Sequence, residues 1–414
     1  MTDAGGQWPN RRSPAIDWLV HETRTQPFFD NLFGELCERL VADGLPVDRA
    51  AVHIRTLHPQ FAAGTIRWEP GMATAELTTH GHEALSSDTF LNSPIRPIFR
   101  GEVGGIRQRL DIPLPEGAAR YEIYEELRAS GHVDYVVMPM TFVSGTTHAV
   151  SWATRQEGGF TTAELRAIND LMPLLALALE LRLNRQIARN LLRTYVGTRA
   201  GERILAGNIM RGSGETIRAA IWYCDLRGFT AMSEVLPRDA LIAGLNAYFD
   251  AMAEPVLHHG GEILKFIGDA MLAIFPLEEE RACARALAAA LDAVAGMREL
   301  NGHRREAGGE DFHFGLVLHV GDLMYGNIGA RNRLDFTVIG PAVNVASRLD
   351  GLARELGREV LLSAEFAGMC ERLPLRLRAI GSYHLRGIDR QVEVFGLPEG
   401  EPVLPRLEEE ESLS

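Results

Sequence analysis

The chain has 414 residues, a formal net charge of -13, 46% hydrophobic residues and 23% charged residues. This length exceeds the usual size of one hydrophobic core, so two domains and a connector are expected, and the composition excludes the disordered and fibrous classes. The acidic balance argues against a polyanionic partner, so nucleic acid is not an expected ligand.

Residues 1–12 are polar, with no apolar run resembling a signal peptide. Cys37, Cys224, Cys283 and Cys370 lie far apart, with no CxxC pair and no zinc-like spacing, which reads as reduced thiols in a cytoplasmic protein. In residues 30–45, Leu32, Phe33, Leu36, Leu40 and Val41 recur at helical spacing until Gly44 and Pro46 close the segment. Short strands are expected at 50–57 and 65–68, a helix at 121–129, and a strand pair at 133–143 and 147–153 around Ser144-Gly145-Thr146. This is an α+β pattern.

A long helix is expected from Thr161, which has capping-box spacing to Glu164, through Leu192, with a kink at Pro173. Its most apolar part, 171–183, contains Glu180 and Arg182 and is too short to cross a bilayer, so no membrane span is expected. Leu177, Leu181, Leu183, Ile187 and Leu191 suit either pairing with the same helix of a second chain or packing on the helix's own domain. Residues 195–216, rich in Gly and Arg, read as a connector.

A second domain is expected from Ile217, beginning with the apolar strand that ends at Asp225. A helix at 237–256, two strands within 262–275 around Gly268-Asp269, and a helix at 281–298 follow. Residues 312–328 read as two strands around Gly321, then a helix at 343–356 leads into a strand at 359–362. The order β, α, β, β, α, β is that of a ferredoxin-like split unit. The expected division is therefore 1–160, 161–216, 217–398 and an acidic, disordered tail at 399–414.

Two segments place a carboxylate at the end of an apolar strand, Asp225 and Asp269. Alone, either reads as a turn residue. Brought together by adjacent antiparallel strands, they would make a hard oxygen site suited to Mg²⁺ or Mn²⁺ beside substrate phosphates. Gly228, Phe229 and Thr230 follow Asp225 at a helix entry, where backbone N–H groups can cradle phosphate oxygens. Asn344 and Arg348 lie four apart and share one helix face, an amide beside a guanidinium that can meet developing phosphoryl charge.

Taken in order, Asp225-Leu-Arg-Gly-Phe-Thr, Gly260-Gly-Glu-Ile-Leu-Lys-Phe-Ile-Gly-Asp, the expected hairpin from Leu318 to Gly329, and the run Phe336 to Leu349 closely resemble the catalytic domain of class III adenylate and guanylate cyclases. The resemblance covers about 215–397. It implies a ferredoxin-like fold, two domains associated head to tail, and two divalent cations, Mg²⁺ or Mn²⁺, per active site. By the same resemblance Asp225 and Asp269 hold the metals, with the backbone carbonyl of Leu226. Asn344 orients the ribose, Arg348 stabilises the transition state, and Lys265 and Thr337 contact the purine. Arg386 is the counterpart of a basic residue that meets the triphosphate.

Lys265 donates and Thr337 can accept from the adenine amino group, so ATP is the implied substrate and cyclic AMP and pyrophosphate the implied products. Guanylate cyclases carry a carboxylate or amide at the first of these positions and a small or thiol residue at the second. A degenerate, non-catalytic cyclase domain is the other alternative. Gly260-Gly261-Glu262 superficially matches a diguanylate cyclase signature, but its surroundings do not. Gly340-Pro341-Ala342 departs from the Gly-Asp of many relatives, with a modest expected effect. All these residues occur in one chain, which implies a symmetric homodimer whose metal residues come from one subunit and Asn344 and Arg348 from the other. The N-terminal half looks like a GAF-type sensor domain for an unidentified small ligand or protein, regulating the cyclase and serving signal transduction.

Overall fold

The computed structural model describes residues 14–23, 26–72, 74–114, 117–279, 281–370 and 377–398. The expected tail at 399–414 lies outside the described residues. The chain divides into two compact units, Met1–Leu191 and Leu192–Ser414.

The first unit contains helices α1 (Pro14–His21) and α2 (Phe29–Ala42) and strands β1 (Arg49–Arg55), β2 (Phe61–Trp68) and β3 (Glu76–Gly81). Helices α3 (Asp88–Leu91) and α4 (Ile95–Phe99), strand β4 (Ile106–Arg109) and helix α5 (Glu122–Ala129) come next. Strands β5 (Asp134–Thr141) and β6 (Thr147–Thr154) and the 35-residue helix α6 (Thr162–Val196) follow. The strands make one antiparallel sheet in the order β3-β2-β1-β6-β5-β4. Strand alternation splits its side chains into two clusters. Val52, Val150 and Trp152 pack with Phe33 and Leu36 of α2 and Leu171 and Leu175 of α6, whereas Tyr135, Val137 and Ala149 pack with Ile98 and Leu127.

The capping box forms as expected: the Thr161 N–H donates to Glu164 Oε2 at 2.6 Å, and the Glu164 N–H to Thr161 Oγ1 at 3.3 Å. Further along α6, Glu180 accepts the N–H groups of Val143 and Ser144, tying the β5–β6 turn to the helix. Leu177 and Leu181 stay exposed, and Leu183 packs against the core of this unit.

The second unit opens with α7 (Thr198–Leu205) and strand β7 (Gly214–Leu226). Most of the expected connector is therefore regular structure. Ala200 is fully buried, Val196 and Ile204 pack beside it, and β7 starts three residues before Ile217. Helices α8 (Phe229–Val235) and α9 (Arg238–His258), strands β8 (Glu262–Ile267) and β9 (Ala270–Pro276), and helix α10 (Ala282–Glu306) follow. Next come strands β10 (Phe314–Ala330) and β11 (Arg333–Ile339) and helix α11 (Pro341–Glu355). Strand β12 (Val360–Ser363), helix α12 (Ala364–Met369) and strands β13 (Arg378–His384) and β14 (Gln391–Gly396) close the unit.

The sheet order is β13-β14-β12-β10-β7-β9-β8, with β11 paired to β10. Its inner portion, β10-β7-β9-β8, is the antiparallel order of a ferredoxin-like split unit. Strand β7 is apolar on both faces because both are covered. Trp222, Cys224 and Leu226 pack with Tyr248 and Met252 of α9 and the alanines of α10; Ile217, Ala219 and Ile221 pack with Val345 and Leu349 of α11.

One expectation is corrected. Residues 312–328 do not form a hairpin at Gly321: β10 is a single 17-residue strand that pairs with β7 from Phe314 to Gly326, and the hairpin lies between β10 and β11. Gly321 is required by packing instead, since a Cβ there would stand 2.5 Å from the Ala342 Cβ at the start of α11.

Candidate active site

The site is built at the C-terminal end of β7. Asp225 pairs in register with Ala270, the first residue of β9, so the preceding Asp269 in the β8–β9 turn lies beside it. Gly268, with φ 66°, supplies the left-handed turn conformation that brings the chain round. Burial, followed by repulsion from the Asp269 and Asp350 carboxylates, pushes the Asp225 carboxyl up to about 6. Two carboxylates that disfavour each other's charge form a suitable donor pair for a divalent cation, because the ion removes the repulsion. Among the described residues no group of three or more His, Cys, Asp and Glu gathers to hold a metal. The pair fits Mg²⁺ or Mn²⁺, which commonly take one or two protein carboxylates and leave their other positions to water and phosphate oxygens.

Gly228, with φ 73°, caps α8, and Phe229 and Thr230 form its first turn, so the expected cradle stands immediately after Asp225. The Leu226 side chain is buried in the core, which fixes the strand end whose carbonyl the resemblance assigns to metal.

Sequence reasoning missed the basic residues around Asp225. Arg227 makes a two-pronged bond to Asp350, Nη1 to Oδ2 at 2.9 Å and Nη2 to Oδ1 at 2.7 Å, and stands 3.5 Å from Asp225. Arg354 Nη2 donates to Asp225 Oδ2 at 2.9 Å. The Arg227–Asp350 pair is largely buried and fastens α11 to the end of β7; removing one partner of such a pair costs about 3–5 kcal/mol. The readable signal was the four-residue spacing of Asp350 and Arg354 on one helix face.

Asn344 and Arg348 both emerge exposed on α11, while Val345, Ala346 and Leu349 turn inward. Among the described residues neither side chain has a hydrogen-bond or ion-pair partner, and within one chain Asp225 is engaged by Arg227 and Arg354 instead. On the other side, Lys265 of β8 forms an ion pair with Asp335 of β11. Asp335 and Thr337 are two residues apart on one strand face, so Lys265 and Thr337 belong to one patch. Arg386 is exposed in the β13–β14 turn, at the sheet edge opposite β8, and is not brought to Asp225 within the chain.

Residues 213–398 match the family model described as the adenylate and guanylate cyclase catalytic domain. An adenylate cyclase of Anabaena cylindrica is 35% identical over 196 residues, 46% of this chain and 37% of that protein. Adenylate cyclase 1 of Rhizobium meliloti is 30% identical over 175 residues, 42% of this chain and 26% of that protein. The chain thus spans well under half the length of these two relatives. The crystal structure of the adenylyl cyclase CyaB from P. aeruginosa aligns with 45% of this chain and 97% of that chain at 28% identity and a TM-score of 0.40. Among the described residues no helix is long and apolar enough to cross a membrane. Residues 213–398, which carry Asp225, Asp269, Asn344 and Arg348 on a ferredoxin-like sheet, thus form a domain of the class III adenylate and guanylate cyclase family.

Proposed function

We propose that the chain is an adenylate cyclase that converts ATP to 3′,5′-cyclic AMP and pyrophosphate at the interface of a homodimer. The observation that carries this reading is the register of Asp225 with Ala270, which sets Asp225 and Asp269 side by side at the ends of neighbouring strands. Two bound divalent cations would lower the pKa of the ribose 3′-hydroxyl and neutralise the triphosphate. The chain's own residues do the rest. The N–H groups of the Gly228–Thr230 turn bind phosphate oxygens, Lys265 and Thr337 hold the adenine edge, and Asn344 orients the ribose. Arg348 stabilises charge on the transferring phosphoryl group. Arg386 adds positive charge for the triphosphate.

Among the described residues Asn344 and Arg348 have no side-chain partner, while Asp225 is already engaged by its own arginines, which supports their use by the other subunit's site. The N-terminal unit is read as a GAF-type regulatory domain. In support, Ile168 to Leu183 of the exit helix α6 contribute to the core of this unit. Deleting residues 1–160 is expected to change the cyclase rate.

The deciding experiment supplies purified protein with Mn²⁺ and either ATP or GTP, for wild type and Asp269→Ala. Cyclic AMP from ATP is expected from the wild type alone. Full turnover by Asp269→Ala would overturn the metal assignment, and GTP used in preference to ATP would make the chain a guanylate cyclase.

A further inference from the structure

The first unit contains a cavity of about 290 Å³ between the outer sheet face and the short helices α3 and α4. A space of this size with a mainly apolar wall and a few convergent polar groups has the form of a small-molecule site.

Leu85, Phe90, Ile95 and Phe99 supply the apolar wall on the helical side. The sheet supplies a single polar band running across β6, β1, β2 and β3. Ser151 Oγ lies 3.2 Å from His53 Nε2, His53 Nδ1 lies 3.3 Å from Thr65 Oγ1, and Thr65 Oγ1 lies 3.1 Å from His80 Nε2. These side chains project from the same sheet face because their strands alternate in register, His53 opposite Thr65 and Val52 opposite Val150.

Charge narrows the guest. Among the described residues no Asp, Glu or Lys lines the cavity, so a cation would find no counter-charge. The two lining arginines are already held, Arg49 by Glu126 at 2.6 Å and Arg67 by Glu76 at 2.7 Å, so an anion would have to compete with an existing carboxylate for either. Burial, then Arg49 and His80, lowers His53 to about 4, so its imidazole is neutral near neutral pH. A buried charge without a partner is costly, whereas an uncharged hydroxyl or carbonyl can hydrogen-bond with serine and threonine, which both donate and accept.

We infer that this cavity binds an uncharged, mainly apolar small molecule that directs one hydroxyl or carbonyl group at the Ser151–His53–Thr65–His80 band. The inference stands apart from the proposed catalysis, since binding is read with no nucleotide present.

The test is calorimetric titration of the full chain with 2-naphthol, naphthalene, 2-naphthoate and 2-naphthylmethylammonium. One 2-naphthol is expected to bind per chain. Naphthalene should bind about 2- to 10-fold more weakly, the loss of one neutral hydrogen bond, and both charged analogues at least about 10-fold more weakly. Ala63→Phe, which fills the cavity from β2, should abolish binding. Ser151→Ala, which changes little volume, should bring 2-naphthol close to naphthalene, with thermal unfolding verifying that both variants fold. Absence of saturable 2-naphthol binding, unchanged affinity in a folded Ala63→Phe variant, or tighter binding of either charged analogue would overturn the inference.

Discussion

Arg354 donates to Asp225 at 2.9 Å, so a guanidinium occupies one oxygen of a carboxylate that the proposed chemistry assigns to a cation. Arg354 is 63% exposed at its side chain, and an ion pair of that kind is worth about 0.2–1 kcal/mol. Arg354→Ala is therefore expected to lower the Mn²⁺ concentration needed for half-maximal cyclic AMP formation by up to about 5-fold. A Mn²⁺ titration of the two proteins checks this; a higher requirement in the variant would mean that Arg354 assists the cation instead of competing with it.

Arg348 is exposed and has no partner among the described residues, so its removal should leave folding intact while cutting turnover roughly 100-fold or more. The proposed division of Arg348 and Asp269 between subunits has a sharper consequence. Mixing Asp269→Ala with Arg348→Ala, each inactive alone, should restore roughly a quarter of wild-type activity, because half the dimers would hold one intact site of two. No recovery after subunit exchange would place both residues in the same subunit's site.

The Lys265–Asp335 ion pair holds the ammonium against β11 beside Thr337. Asp335→Asn should release Lys265 and reduce the preference for ATP over GTP, by no more than about 5-fold because both side chains are about half exposed. Competition kinetics with the two nucleotides measures the ratio. An unaltered ratio would show that the carboxylate takes no part in base choice.

Two buried histidines set an acid limit on stability, one in each unit. His148 is 1% exposed and accepts the Arg55 N–H on Nδ1; His319 is 3% exposed and lies 2.8 Å from Ser363 Oγ. Burial lowers both to about 4 from an ordinary 6.5. The unfolded chain therefore takes up protons first, so stability is complete above about pH 6.5 and is lost as pH falls toward 4, on the order of 2–3 kcal/mol per histidine. Thermal midpoints followed by circular dichroism should fall across that interval and level off below it. His148→Gln and His319→Gln should each flatten the slope for their own unit.

The residue sequence by itself determined the α+β class, the capping box at Thr161 and most element positions, and it supplied the candidate residues of the proposed site. These features depend on local spacing: an apolar strand run ending in Asp225, a Gly-Asp turn, and Asn344 four residues before Arg348 each leave a pattern in adjacent residues. The same locality explains the errors. Gly321 looked like a turn because a glycine demanded by the approach of Ala342 leaves the same mark as one demanded by a bend. The helix Thr198–Leu205 looked like a connector because its buried residues are only the small Ala200 and Gly201.

Tertiary structure alone decided which distant residues meet. It placed Asp269 beside Asp225 through the β7–β9 register, brought Arg354 onto that carboxylate across 129 residues, and set Asp335 against Lys265 across 70. It also opened the cavity around His53, whose walls come from strands and helices scattered over a hundred residues. Ion pairs and cavities depend on distance in space, and the chain order constrains that distance only after the sheet has fixed which strands are neighbours.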